Sequence, residues 1–471
     1  MNYISRYTWL FLICYQFLSG QDNYKLENFG NSSILLNGNV TGSIDDLGLT
    51  FYNPARLSFV EEKTFTVNAD VYEFSSFRLD NFFNEPYKDT QSNFSALPSL
   101  VAGTFKIKKL PNHNFAYSIF SRTRQSQDIN YGTGIIEQDI LSSFAGEELF
   151  DARVNSNTST RDNWIGLTWS TLLSENLSIG ASVFYSDYEF SGRNNSRYAI
   201  LSENEQVGLY NNDISFRQKS RGLLLKIAAA WNVDNVELGV NMDLPYIQVL
   251  GDADFRYDEI QSNFGNADDI FTFNNFSGLD SSRRVPLNVS FGAGVKLEKH
   301  KLFLNVNWYA KQRLYDVISI PPLVSETGTV PDYQFNEEYK SIVNFGAGAN
   351  IVVTEKFGLY TSFSTDFSPV VSNATLADLT NGTGEDINIK TDFYHFGLGF
   401  DVQTKWISFL LGGVYSRARG DFTNPIDLPL DNLDFASTTR LSIDRLRVVL
   451  GFEIQFLDKA KKDLGLDKII K

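Results

Sequence analysis

Polar and apolar residues alternate one by one along much of this chain, the pattern of a strand whose two faces meet different surroundings. Leu287, Val289, Phe291, Ala293, Val295 and Leu297 fall on one side of such a segment, opposite Asn288, Ser290, Gly292, Gly294 and Lys296. The next segment sets Leu302, Leu304, Val306 and Trp308 against Phe303, Asn305, Asn307 and Tyr309. Residues 177–183, 236–243 and 446–456 repeat the pattern. Each is predicted as a strand with one apolar face.

A soluble β-sandwich alternates too, so the connections decide the class. Short polar turns fall near residues 109–113, 173–176, 233–235, 298–301, 354–356 and 403–405. Between them lie long polar stretches, such as 75–97, 123–161, 248–284 and 420–440, which read as loops. Short turns on one rim and long loops on the other are the plan of an outer-membrane barrel. Six short turns and seven long loops give about 14 antiparallel strands, an even number with both termini on the periplasmic, short-turn side. No stretch beyond residue 20 supplies the roughly 20 apolar residues of a membrane-spanning helix. In lipid the remaining solution is a closed sheet, which satisfies every backbone N–H and C=O. Trp169, Trp231 and Trp406 sit close to short turns, where an aromatic girdle belongs.

Three segments fall outside the strands. Residues 1–20 read as a cleaved signal peptide, with Arg6 ahead of an apolar run over 8–14 and small residues before Gln21. Cys14 is a filler within that run, because Ile13 stands where a lipobox needs a small residue. Residues 21–62 precede the first strand, expected over about 63–74, and are long enough to fold back into the lumen as a hatch. The barrel is expected over 63–456, and residues 457–471, with five Lys and three Asp, form a periplasmic tail.

Composition narrows the chemistry. Aromatics are 14% of the 471 residues, which suits a lipid-facing wall and its rims. The formal charge of -15 argues against nucleic acid as a partner. One Cys and three His exclude a disulfide framework and a cysteine zinc site. His113 and His300 fall in turns and His395 on a lumen face, and sequence places no Ser or acid beside them. Asp268-Asp269 lacks the spaced ligands of a calcium loop. The pairs Gly292/Gly294, Gly346/Gly348 and Gly397/Gly399 do not complete a phosphate-binding motif. They read as lumen positions whose missing side chains leave room for a plug or ligand. Lys296, Lys311, Asp366, Asp401, Arg447 and Glu453 are the expected polar lining. No enzymatic activity, catalytic residue, metal or cofactor is expected.

The segment ahead of the first strand also carries a resemblance. Asn28-Phe29-Gly30, Leu35-Leu36-Asn37-Gly38 and the run from Asp45 through Asn53-Pro54-Ala55 to Leu57 resemble the opening of FadL-like outer-membrane transport proteins of Gram-negative bacteria. Leu97-Pro98-Ser99 and the strand from Val285 to Ser290 are similar to the family as well. The resemblance implies a hatch carrying Asn53, Pro54 and Ala55, a 14-stranded barrel, and uptake of hydrophobic small molecules such as long-chain fatty acids or aromatic hydrocarbons. Ligand would be captured among the loops, pass an apolar pocket and leave through a gap in the wall. Phe51 and Tyr52, just before the motif, are candidate ligand contacts. Two features depart from the family: Arg56 replaces a small residue, and the tail follows Phe456. The implied partners are outer-membrane lipid, a hydrophobic ligand and, at the tail, an outer-membrane or periplasmic protein. A second reading of the same plan is a non-transporting barrel subunit of an outer-membrane secretion or assembly complex.

Overall fold

The computed structural model describes residues 23–60, 64–82, 85–94, 98–139, 144, 146–263, 268–327, 333, 335–371, 391–404, 407–423 and 438–454. Fourteen antiparallel strands close into one barrel. In chain order they are β1 (Phe65–Phe82), β2 (Glu85–Phe94, then Pro98–Phe105), β3 (His113–Gly132), β4 (Glu148–Leu172) and β5 (Leu177–Leu201). Then follow β6 (Val207–Val233), β7 (Val236–Asp243, then Ile247–Ser262), β8 (Ile270–Leu279, then Asn288–Leu297) and β9 (His300–Tyr309). The rest are β10 (Ile342–Thr354), β11 (Phe357–Asp366), β12 (Asp392–Gln403), β13 (Ile407–Thr423) and β14 (Thr438–Ile454). Phe65 pairs with Ile454, so β14 meets β1 and the ring has no free edge through the membrane. The expected signal peptide, the C-terminal tail and Trp406 lie outside the described residues.

The apolar face of the alternation points outward. Ile165, Leu167, Ile227, Leu304, Val306 and Leu398 are exposed on the wall, where hydrocarbon would cover them, while Thr168, Asn305 and Asn307 are buried on the lumen side. Trp231, half exposed, lies next to the β6–β7 turn at the level of the girdle.

The strands are longer than the alternation suggests. A tilted membrane-spanning strand needs about 9–11 residues, whereas β4, β5 and β6 run for 25, 25 and 27. Much of 75–97, 123–161 and 248–284, expected as loop, is therefore strand rising above the membrane, and the first strand reaches Phe82 rather than about residue 74. The reason is a change of solvent. Above the bilayer the outward face meets water and carries cross-strand pairs such as Arg161–Glu189 at 2.9 Å and Arg221–Asp187 at 2.9 Å. The inward face there holds Tyr188, Phe190, Phe216 and Phe255, packed against a loop hairpin (Gln312–Ile318 with Phe335–Tyr339). Polarity is inverted relative to the membrane band, so the apolar-out pattern disappears although the strand continues.

Three strands are interrupted near prolines, which cannot donate to a ladder. The upper piece of β2 pairs with β1, and its lower piece, beginning at Pro98, pairs with both β1 and β3. Pro245 lies in the break of β7 and Pro286 in that of β8. At the β8 break Arg283 turns inward to a buried ion pair with Asp162 at 2.7 Å and sits over the Tyr188 ring.

Candidate functional site

Residues 23–60 lie inside the ring. They hold two short helices, Ser32–Leu35 and Leu49–Tyr52, and a 3-10 turn, Pro54–Phe59, and their buried apolar residues, in these elements and beside them, include Phe29, Leu35, Leu36 and Leu57. Helices this short do not persist alone. The barrel holds them.

The lumen glycines make this contact. An ideal Cβ on Gly292 would lie 2.3 Å from the Gly42 nitrogen, and one on Gly239 would lie 2.1 Å from the Thr41 carbonyl oxygen. A Cβ on Gly397 would meet the Leu35 oxygen at 2.1 Å, and one on Gly346 would meet Asn39 at 2.2 Å. Real carbon contacts are about 3.5–4.0 Å. The missing side chains are the room that the segment occupies, as the glycine pairs suggest from sequence.

Each residue of the Asn-Pro-Ala motif has a local role. Asn53 caps the 3-10 turn by accepting from Ala55 N–H at 3.0 Å, and its amide donates to the Thr41 carbonyl at 2.7 Å and the Ala229 carbonyl at 3.3 Å. Pro54 takes the first helical position, where its missing N–H costs nothing. The Ala55 backbone lies against Gly180 of β5, and its carbonyl accepts from Ser178 Oγ at 2.8 Å. Arg56, the departure from the family pattern, reaches Glu237 of β7 at 3.2 Å. That carboxylate also takes Lys296 at 2.7 Å, Lys301 at 3.0 Å and the Ser43 hydroxyl.

Charge holds the other end of the segment. Glu27 pairs with Arg445 at 2.7 Å and with Arg447, both on β14. Asp366 accepts Tyr24 N–H at 2.9 Å and Lys25 N–H at 2.8 Å. Burial pushes the Lys25 ammonium down to about 8, against the pull of Asp366. Within the segment Asp46 gathers Ser32, Ser33 and the Gly48 N–H, yet burial still raises its carboxyl above the usual range. Of the expected lining, Asp366 and Arg447 touch the segment, whereas Lys311 pairs with Glu338 and Glu453 accepts from Thr66 on the barrel itself.

The fold also unites His395, Ser416 and Asp366, which sequence could not. His395 Nδ1 lies 2.7 Å from Ser416 Oγ and its Nε2 lies 3.6 Å from Asp366. All three are fully buried, and the Asp366 carboxylate is taken up by backbone N–H groups of the segment. Asp366 ties this buried cluster to the segment. His113 accepts the Trp169 indole N–H at 3.0 Å. Among the described residues no cluster of His, Cys, Asp and Glu could hold a metal.

Between the segment and the barrel wall lies a cavity of about 80 Å³, lined by the rings of Phe51, Tyr52 and Trp164 and by the charged Glu27, Arg122 and Asp243 among others. Phe51 and Tyr52, the sequence candidates, are both at its wall. Arg122 and Lys226 were not foreseen, because each is one polar position in an ordinary strand pattern. The Lys226 ammonium sits 4.0 Å above the Phe51 ring and pairs with Asp243 at 2.9 Å. The Arg122 guanidinium faces the rings of Phe29, Phe51 and Trp164 at 5.4–6.0 Å and donates to the Tyr24 carbonyl at 3.1 Å. Among the described residues it has no carboxylate partner. An apolar cavity that admits benzene measures about 150 Å³, so a ligand enters only if the segment or its rings give way.

Beside this cavity the backbone pairing of β3 with β2 is incomplete, although Gln91 of β2 donates to the Asp128 carbonyl of β3 at 3.1 Å. β3 pairs with lower β2 up to Phe120, and its register with β4 shifts at Arg122. From Ser121 to Gly132, among the described residues, no ladder joins β3 to β2.

No protein-family model matches the chain, and no curated protein matches its sequence. Solved structures do match in shape. A Pseudomonas aeruginosa FadL homologue is 12% identical, with 92% of this chain and 100% of that one covered and a TM-score of 0.58. The Pseudomonas putida toluene transporter TodX is 11% identical, over 92% and 99% of the two chains, with a TM-score of 0.57. The CymD monoaromatic hydrocarbon channel is 10% identical over 92% and 99%, with a TM-score of 0.51. The chain therefore shares the fold of these FadL-like β-barrels.

Proposed function

We propose that this chain is an outer-membrane channel for passive uptake of hydrophobic small molecules, and that its ligands carry a carboxylate, as long-chain fatty acids do. One observation carries the reading: a lumen cavity with Phe51, Tyr52 and Trp164 in its wall, where the Arg122 guanidinium forms no ion pair among the described residues, beside an unladdered stretch of wall. Rings accept the apolar body, and the guanidinium is suited to a carboxylate by two parallel hydrogen bonds. The neighbours of similar fold are transport channels, which supports uptake rather than catalysis. No observation favours a subunit of a secretion or assembly complex.

In this reading residues 21–62 are the hatch, anchored by Asn53, Pro54 and Ala55, and Phe51 and Tyr52 touch the ligand. Residues 63–456 form the barrel, 1–20 are a signal peptide removed on export to the outer membrane, and 457–471 are a periplasmic tail. The test is Arg122→Gln in proteoliposomes. A charged hydrogen bond contributes about 1.5–3 kcal/mol, so oleate binding should weaken by roughly tenfold or more while toluene binding is unchanged. Equal losses for both ligands, or for neither, would remove Arg122 as the anchor.

A further inference from the structure

The turn between β2 and β3 differs from the other five on its rim. Phe105 and Phe115 stack at its base with ring centres 5.6 Å apart, and Trp169 is fastened to His113 beside them. Aromatic rings of this kind mark the level where hydrocarbon gives way to headgroups. Between Phe105 and His113 the chain drops below that level and carries Lys106, Lys108 and Lys109, all exposed. Among the described residues none of the three has an ion-pair partner. Ile107 and Leu110, in the same turn, are 38% and 42% exposed. Hydrogen bonds from Leu110 N–H to the Ile107 carbonyl at 2.9 Å and from His113 N–H to the Leu110 carbonyl at 3.1 Å give the turn a defined shape. Thr171 Oγ1 donates to the Asn112 carbonyl at 3.1 Å, which brings the exposed Leu172 and Leu173 of the next turn alongside.

The other five turns hold no more than two lysines each, and four of them carry an acid: Glu175, Asp234, Glu298 and Glu355; in the one with two, at 298–301, Lys301 is paired with Glu237. A chain of net charge -15 therefore gathers three uncompensated cations at one place and at one depth. We propose that this turn is a binding site for the headgroup of an anionic phospholipid in the periplasmic leaflet. The ammonium groups meet the phosphate, while their stems and the Ile107, Leu110, Leu172 and Leu173 side chains meet the upper acyl chain. Charge complementarity at the girdle level selects lipid over a soluble anion, since phosphate alone would gain nothing from the apolar shelf.

The test is native mass spectrometry of the full-length barrel titrated with phosphatidylglycerol or phosphatidylcholine of the same acyl chains. Each lysine near an anionic surface favours binding by about fivefold. The wild type should retain phosphatidylglycerol preferentially. The triple variant Lys106→Gln, Lys108→Gln, Lys109→Gln should lose at least about tenfold of that preference, while Lys299→Gln with Lys356→Gln keeps it. Equal retention of both lipids by the wild type, or an unchanged preference in the triple variant, overturns the site. A second arm needs only the wild type: at about 1 M salt the screening length is about 3 Å, and the preference should vanish. A preference that survives high salt assigns retention to the acyl chains and overturns the proposal equally. Inorganic phosphate should not displace the lipid; displacement would identify a free-anion site instead.

Discussion

Gly239 and Gly292 press on the same peptide of the inner segment from neighbouring strands, where they are register partners. Neither has a positive φ, so alanine fits the backbone of both and only space is at issue. A Cβ at Gly239 would stand 2.1 Å from the Thr41 oxygen and 2.5 Å from the Asn53 amide nitrogen. One at Gly292 would stand 2.3 Å from the Gly42 nitrogen. The closed ring cannot widen locally, so the segment must retreat by roughly 1 Å or more to restore van der Waals contact. Overpacking costs about 1–3 kcal/mol per site, and two sites on one peptide are not additive. Gly239→Ala with Gly292→Ala should thus weaken docking of the segment by about 2–4 kcal/mol, shifting its docked-to-released ratio by roughly 30- to 1,000-fold. Single-channel recording in planar bilayers reads this as more frequent opening, with deletion of residues 21–62 as the upper limit. Gly413→Ala is the control, since its nearest contact is an ordinary 3.5 Å. Heat-modifiable gel mobility separates assembled barrels from unfolded ones. An assembled double variant that conducts like the wild type would refute the close-approach argument.

Two further outcomes rest on faces and charges. Val306→Arg, on the lipid side of β9, should cost about 2–4 kcal/mol at mid-membrane and lower assembly yield in urea refolding titrations. The same change at Asn305 is not the mild control that a lumen position suggests, because Asn305 accepts from Thr41 N–H at 3.2 Å; it should assemble but conduct more. Glu27→Ala leaves Arg445 with Glu73 and Arg447 with Asp70, so its cost should fall below the about 3–5 kcal/mol of a fully broken buried pair, while the segment loses its link to β14. Limited proteolysis from the periplasmic side should then cut within residues 23–60 faster than in the wild type.

The membrane band was legible because its cause is local. A strand between lipid and a polar lumen must alternate, so 287–297 and 302–308 declare both their conformation and their outward face. The six short turns stood out for the same reason, and with them the even count of strands. The glycine pairs pointed to a filled lumen, since paired absences of side chain on a polar face need an occupant. What was missed also has one cause. Above the bilayer both faces change solvent, so the upper parts of β4, β5 and β6 lose the apolar-out pattern and resemble loops, although their mutual backbone pairing is unbroken.

The sequence by itself therefore determined that strands cross a membrane, roughly how many there are, and which residues face lipid. Only the tertiary structure decided what the lumen does. Glu27 meets Arg447 across 420 positions of chain, and Tyr24 meets Asp366 across 342. Arg122 gains its meaning from Phe51 and Trp164 on other elements. Alternation records which solvent a residue faces, and each residue reports that alone. A cavity or an ion network exists only between residues, and closing the ring is what brings them together.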